Sequence, residues 1–530
     1  MPARATTGSD EEFSVPPMGT SPITGVPNVA NWGGLNRFNA ASRWVIGDSE
    51  ADNLVNFLPQ LQAFQQVPGP GASIATLAAP VIWSYADVLN GNLFIYCLCT
   101  NGGLYQVSTA GVITTVGTGF GTAANTVDIA NWQGTNMLIC DSSQNKIFNW
   151  NGTTLATVFS AQPGNFLAVY SGRLWIANGL TLTWTNAGTF NSFAGDSGSF
   201  AITDSGCGNP IIGLLNAQGS LYVFGSNWIK TIANLIDVGN PLVLTFQQPT
   251  ITSQVSIISK WSIVAMGPYI YFANNAGIWQ LSGSTPVKVS TPLDGFFQNL
   301  AASSFSAAYG RVLGKECVFW NINWAGDGNN NVFGMTTDGL WFRVIPVNGT
   351  STGTVAWITG QVSSITTSSN PIVYMIDPGG SIFNLFGSTV ATVTSIFNSK
   401  IWDFFSKLAV DWFTDLAVQY VITGASSLTI TEVGDSGATQ GPASPSGPVT
   451  ITHNPSVGMW QNNFNVTGQW QNNSLVSGNW QGTVTFSFIL DQVVVPFQDR
   501  GFGVNLTFIG TAIVLHAIIM TYRKMEIIKG

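Results

Sequence analysis

Charge is what this chain has least of. Asp, Glu, Lys and Arg make up only 8% of its 530 residues, about a third of the share usual in soluble domains. Its polar surface must therefore come from Asn, Gln, Ser and Thr, which form hydrogen bonds but leave a crowded monomer poorly soluble. A secreted β-protein is one reading of such a surface, and a subunit that buries much of it in an assembly is the sharper one. Positive charge is scarcer still: 17 Lys and Arg stand against 25 Asp and Glu, giving a net charge of −8, with no basic run longer than Arg523-Lys524. Tight duplex binding needs many cations to displace counterions from phosphates, so the balance excludes a general nucleic-acid binder. A protein past which DNA slides without sticking suits it, as does any acidic bystander.

Metal-binding and cross-linking residues are few. The five cysteines (Cys97, Cys99, Cys140, Cys207 and Cys317) are odd in number and have no paired spacing, and only His453 and His516 could join them at a metal. Neither a disulfide framework nor a zinc site is indicated, which fits folding in a reducing cytoplasm. Cys97 and Cys99 alternate with Leu98 in an apolar run and are expected to be buried on the same side. Residues 1–22 have no apolar signal core and carry Asp10-Glu11-Glu12, so no secretory leader is expected. Apolar stretches such as 506–520, broken by Gly510, Thr511 and His516, are too short for a membrane-spanning helix. An outer-membrane barrel would need export, for which no signal is seen.

What the chain does have is a period of two. Leu93-Phe-Ile-Tyr-Cys-Leu-Cys99 leads through Thr100-Asn-Gly-Gly103 into Leu104-Tyr-Gln-Val107. The same unit, an apolar run, a tight Gly/Asn/Asp turn and a second run that usually carries a large aromatic, recurs at 137–150, 173–184, 221–232, 269–281 and 372–385. The turn residues supply the positive φ that tight hairpins need. The units lie roughly 40 to 50 residues apart, more widely before the last, which is the spacing of radial blades rather than of a short-coil solenoid. The reading is all-β: residues 1–35 an extended arm, 36–400 a β-propeller of about six or seven blades, and 401–530 a C-terminal β-sandwich or platform domain. Unrelated hairpins in a sandwich are the alternative fold.

The texture changes near residue 400, where 400–412 mixes charges and aromatics and reads as a sheet-edge connector. Residues 434–448 form a Gly/Ser/Pro-rich loop. A repeat of period ten follows, Gly458-Met-Trp-Gln-Asn-Asn, Gly468-Gln-Trp-Gln-Asn-Asn and Gly478-Asn-Trp-Gln-Gly. An even period places Trp460, Trp470 and Trp480 on one face of regular strands. That face reads as core, as a subunit interface or as a sugar-stacking surface. Long strands are expected over 483–495 and 503–528.

The order of these features resembles the tail nozzle, or packaged-DNA stabilisation, family of short-tailed bacteriophages. Leu54-Val-Asn-Phe-Leu-Pro59 and Val67-Pro-Gly-Pro-Gly71 are similar to its entry segment. Arg173-Leu-Trp-Ile-Ala177, with Trp184 and Phe193, precedes the longest similar stretch: Asn209-Pro-Ile-Ile-Gly213, Gly219-Ser-Leu-Tyr-Val-Phe-Gly225 and Trp228-Ile-Lys-Thr-Ile232. A tail such as 513–528 is typical of the family's terminal strands, whereas the Trp-Gln-Asn repeat has no counterpart in it. The resemblance implies a propeller joined to a β platform, assembled as a homo-oligomer, a hexameric ring, below the portal and adaptor rings. Its implied role is structural, without enzymatic activity or cofactor. It closes the channel after packaging, retains the genome, encloses double-stranded DNA without reading sequence, and offers docking surfaces to tail fibres, spikes or a needle. The expected location is the virion tail, after synthesis in the host cytoplasm. Interface candidates are Trp460, Trp470, Trp480, Arg523 and Lys524. The alternative from another class is a receptor- or carbohydrate-binding phage fibre or lectin-like propeller.

Other motifs read as structural. Thr337-Asp-Gly-Leu-Trp341 resembles the Asp-box turn of sialidase-like propellers, but that turn is itself structural and the arginines to clasp a substrate carboxylate are too few. Asp327-Gly-Asn-Asn-Asn331 lacks the spaced acids of a calcium loop and reads as a polar turn. Asp491 and Asp499 have no acid/base partner in sequence. Gly206-Cys-Gly208 resembles no nucleophile elbow and fits a bend at a blade boundary. His516, in an apolar run, reads as a hydrogen-bonded core histidine.

Overall fold

The computed structural model describes residues 11–15, 34–37, 50–60, 63–123, 125–255, 257–283, 285–297, 302–324, 332–346, 354–360, 371–388, 391–399, 411–422, 426–434, 449–453, 487–499 and 502–524. The fold is all-β and built on a β-propeller. Seven four-stranded antiparallel units follow one another among the described residues. Blade 1 runs Val81–Leu89, Asn92–Cys99, Leu104–Ser108 and Ile113–Gly117. Blade 2 is Val127–Trp132, Asn136–Asp141, Lys146–Trp150 and Leu155–Phe159, and blade 3 is Phe166–Tyr170, Arg173–Asn178, Thr181–Trp184 and Gly198–Ala201. Blade 4 uses Ile211–Ala217, Ser220–Gly225, Ile229–Val238 and, on its outer edge, Thr250–Thr252, while the far end of Ile229–Val238 continues into a hairpin with Val243–Gln247. Blade 5 is Val264–Met266, Tyr269–Asn274, Gly277–Ser282 and Thr285–Lys288, and blade 6 is Ala302–Val312, Lys315–Trp324, Val332–Thr336 and Trp341–Val344.

Blade 7 closes the circle. It takes Trp357–Thr359, Tyr374–Ile376 and Ser381–Asn384 from the end of the ring, and its outer strand is Ser73–Thr76 from the beginning. The inner strand of blade 7 also meets that of blade 1, and most successive inner strands touch around the axis. Between blades 4 and 5 the 3-10 turn Lys260–Ser262 is interposed. Pairing the two ends of the ring leaves no unpaired first blade.

Each of the six hairpins read from sequence is the middle pair of a blade. Positive φ at Gly102, Asn145, Gly179, Gly277 and Gly380 sits in five of their turns, as the tight reversals require. The remaining turn needs Gly225 for space: a Cβ there would lie 2.1 Å from the Trp228 ring. Blade 6, whose middle hairpin the six do not include, fills the wide gap before the last unit. Its middle strands are joined across 325–331, not by a two-residue turn, so the short-turn signal is missing there. Cys97, Cys99, Cys140, Cys207 and Cys317 are all buried as free thiols. Gly206-Cys207-Gly208 lies in the bend between blades 3 and 4, where the Cys207 N–H donates to the Asp204 carbonyl at 3.0 Å. Thr337–Leu340 is the hairpin turn of blade 6, closed by Gly339 N–H on the Thr336 carbonyl at 2.9 Å.

The remaining strands form two sheets. One continues blade 6: Trp341–Val344 pairs in parallel with Glu50–Val55, followed by Val393–Ser399, Phe502–Gly510, Ser426–Gly434 and Val449–His453. The other runs Ser487–Asp499, Asp411–Ile422, Val514–Lys524, Phe64–Gln66 and Phe57–Pro59, with Glu11–Val15 also on Val514–Lys524. Alternating residues fill the space between them: Leu428 and Ile430, Val504, Leu506 and Phe508 from one sheet, Val418, Tyr420 and Ile422 from the other. Phe508 stands edge-on to both Phe57 and Tyr420, with centroids 5.8 and 5.2 Å away. This is the geometry aromatic pairs prefer.

Three sequence expectations need correction here. Residues 50–66, assigned from the sequence to the start of the propeller, form no blade of their own: Glu50–Val55 pairs with the edge of blade 6 and with Val393–Ser399, and Phe64–Gln66 pairs with Val514–Lys524. Between the two strands Asn56, with a positive φ of 57°, turns the chain from one sheet to the other. The expected long strand over 503–528 is two strands, because Ala512 at φ 51° switches the chain between sheets. His516 is half-buried rather than a core residue. It is the extra residue of a β-bulge, where Gln419 faces Ala517 and Tyr420 faces Leu515, and the bulge shifts the side-chain parity of the strand. Residues 325–331, 435–448 and 454–486 lie outside the described residues, and so do the polar turn, the loop and the Trp repeat assigned there.

Candidate functional site

The hairpin that extends blade 4 has two unlike faces. Its register pairs Ile236 with Thr245, Asp237 with Leu244 and Val238 with Val243, so alternate residues point oppositely. The inward face carries Leu235, Asp237, Leu244 and Phe246 onto blade 3. Phe246 lies 5.8, 5.5 and 5.2 Å, centroid to centroid, from Trp175, Trp184 and Phe200. Arg173, itself buried, donates to Asp237 at 2.9 Å and to the buried Asp196 carboxylate, and to the Thr185 carbonyl at 3.3 Å. The Asp196 carboxyl is held down at about 2, chiefly by its hydrogen bond from Arg173.

The outward face is largely apolar, with Thr245 its polar member. Ile236, Val238 and Val243 are 60%, 52% and 59% exposed, and Leu242 in the turn is 53% exposed. A solvated hairpin face is ordinarily polar on that side, and four large aliphatics on one short hairpin make a concentrated patch. A signal for it was present in sequence: contiguous aliphatics, Leu235-Ile236 and Leu242-Val-Leu244, on both sides of Gly239-Asn-Pro241, too many for one covered face.

The propeller axis is built differently. Lys260, on the turn between blades 4 and 5, places its ammonium 2.6 and 2.5 Å from the two Asp128 oxygens. It also reaches the carbonyls of Leu167 at 3.2 Å and Ile129 at 3.4 Å. Asp128 in turn accepts from the Leu167 N–H at 2.7 Å, so one carboxylate links blades 2 and 3 and the turn before blade 5. Burial pushes the Asp128 carboxyl up, and Lys260 pulls it back toward the charged form. Trp261 stacks on Trp83 at 4.8 Å. Near the strand ends, Asn131 donates to the Val88 carbonyl and Asn216 to the Val169 carbonyl, each at 2.8 Å, stitching neighbouring inner strands.

Of the interface candidates from sequence, Trp460, Trp470 and Trp480 lie outside the described residues. Arg523 and Lys524 end the strand Val514–Lys524, in register with Trp412 and Asp411. The structure does not bring them to the blade 4 hairpin, which belongs to another sheet. Among the described residues no group of three or more His, Cys, Asp or Glu could hold a metal ion, and no helix is long and apolar enough to cross a membrane.

No protein-family model matches the chain, and no curated protein matches it in sequence. Solved structures similar to it are propellers. A streptogramin B lyase aligns at 12% identity and a TM-score of 0.38, over 58% of this chain and 94% of its own. The Swd1 β-propeller domain from Myceliophteria thermophila aligns at 10% identity and a TM-score of 0.38, over 60% of this chain and 99% of its own. BBS1N, in its complex with ARL6DN, aligns at 9% identity and a TM-score of 0.38, over 60% and 97%. Values this low carry no argument about activity.

Proposed function

We propose that the chain is a non-enzymatic, ring-forming subunit of a short-tailed phage tail nozzle, which closes the DNA channel below the portal and adaptor and conducts the genome on ejection. The observation that supports this most is the outward face of the blade 4 hairpin. In a chain with so few charges, Ile236, Val238, Leu242 and Val243 offer an uncharged apolar patch suited to a second copy of the same chain. Arg173 and Phe246 clamp the other side of the hairpin, so little order has to be gained on docking. The continuity of blade 6 with the C-terminal sheet agrees with a propeller held against a platform. The ordered motifs of the family, from Leu54–Pro59 to the terminal strands, supply the link to phage tails. Net negative charge suits a wall along which DNA slides.

Mass photometry and negative-stain imaging of the full chain, alone and with a candidate adaptor ring, test the proposal. A six-fold ring with a central pore, formed alone or on the adaptor, is the expected result. A monomer or trimer that ignores the adaptor and binds glycans overturns it in favour of a receptor-binding propeller.

A further inference from the structure

At the axis of the propeller lies a cavity of about 220 Å³, open to solvent on one side, that the assembly reading does not use. Its lining includes Ser84, Tyr85, Asp87, Lys260, Trp261 and Trp357, amid aliphatic side chains of the inner strands. We propose that this cavity binds a small organic ammonium ion, seated against the Asp87 carboxylate with Tyr85, Trp261 and Trp357 around it.

The charge balance leads there. Lys260 is already neutralised by Asp128 at 2.5 Å. Asp87 accepts from the Tyr85 hydroxyl, from the Val88 N–H at 2.7 Å and from the Asn131 side chain, and no cation among the described residues pairs with it. The lining therefore carries one uncompensated carboxylate, whose oxygens keep lone pairs to spare. Asp87 is half-buried, and burial pushes its carboxyl up toward the neutral form; a bound cation would favour the charged form instead. Ser84 is 3% exposed and its Oγ has no hydrogen-bond partner, so one more polar group lining the cavity is left unanswered.

The walls select the kind of cation. A calcium ion takes six to eight oxygen ligands, whereas most of this lining is apolar or aromatic. Aromatic rings around a carboxylate suit an alkylammonium, through cation–π attraction and apolar contact. An anion has no free positive group to meet there.

The test is calorimetric titration of the full chain with ethylammonium and tetramethylammonium chloride, beside tert-butanol as a neutral analogue of similar shape. The expected result is saturable one-to-one binding of an ammonium probe, at least tenfold tighter than tert-butanol. Asp87→Asn should weaken that binding at least tenfold. If neither ammonium binds at tens of millimolar, if tert-butanol binds as well, or if a folded Asp87→Asn variant keeps full affinity, the proposal fails. Should Asp87→Asn not fold, the comparison with tert-butanol on the unaltered chain decides. Ring assembly is a separate readout, so the two proposals stand or fall independently.

Discussion

Lys260 and Asp128, 132 positions apart in sequence, form the ion pair that ties the inner strand of blade 2 to the turn entering blade 5. Asp128 is 1% exposed in its side chain and Lys260 14%, so neither can fall back on bulk water if its partner is lost. Breaking a buried pair by removing one member typically costs about 3–5 kcal/mol. Lys260→Met should lower stability by about that much, through the stranded Asp128 carboxylate. Lys260→Met combined with Asp128→Asn should be less destabilised than the two single effects added together, because the amide still accepts from Leu167 N–H and carries no charge. Denaturant midpoints of the four proteins check this. Strict additivity would mean that the pair is not coupled.

Asn56 is a buried knot between the propeller and the C-terminal sheets. Its side chain donates to the carbonyls of Ile345 at 2.9 Å and Thr394 at 2.8 Å and accepts from Ile345 N–H at 2.8 Å. Asn56→Ala loses these bonds and also leaves at this positive φ a residue that tolerates it less well than asparagine. Asn56→Gly loses the bonds alone. Both should be destabilised, by about 2–4 kcal/mol from the unsatisfied backbone groups, with alanine worse by about 1 kcal/mol. Thermal or denaturant unfolding would show the order, and alanine equal to or better than glycine contradicts the backbone argument.

The hairpin patch can be made polar without touching its clamp. Ile236→Thr, Val238→Thr and Val243→Thr keep β-branched residues on the outward face and leave Arg173, Asp237 and Phe246 in place. The triple variant should unfold within about 1 kcal/mol of the parent and lose ring assembly in mass photometry. Rings of unchanged abundance would remove the hairpin from the interface.

Asp196 gives a pH signature. Its folded-state value of about 2 lies below the ordinary carboxylate value of 3.8. A depressed carboxyl contributes stability that is fully present above the unfolded-state value and is lost as pH falls through the folded-state value. The advantage of the parent over Asp196→Asn should therefore hold above pH 4 or so and shrink as pH falls through 3.8 toward about 2. A difference that is constant across this range would mean that Arg173 does not favour the charged form.

Much of the propeller is legible before any coordinates. An apolar run, a Gly or Asn at the turn and an aromatic on the return strand are local requirements, so each hairpin with a short turn can be found from its own residues. Blade 6 escapes because its middle strands are joined by a longer connection, and the closing strand Ser73–Thr76 escapes because its partner is some 300 residues away in sequence. The axial pair and the hairpin clamp were equally hidden. Lys260 follows an unremarkable Ser259, and Asp237 sits in an apolar alternation that does not indicate which face is covered.

By itself the sequence determines the period of two, the positions of the tight turns and the poverty of charge, because each depends on residue type and near neighbours alone. Only the tertiary structure decides which ends of the ring meet, that residues 50–66 join blade 6 to the two further sheets, and that Asp128 meets a lysine at the axis while Asp87 meets no cation among the described residues. Those outcomes depend on which distant backbones come within hydrogen-bonding reach and which charges are taken out of water together. Neither is written in any local stretch of the chain.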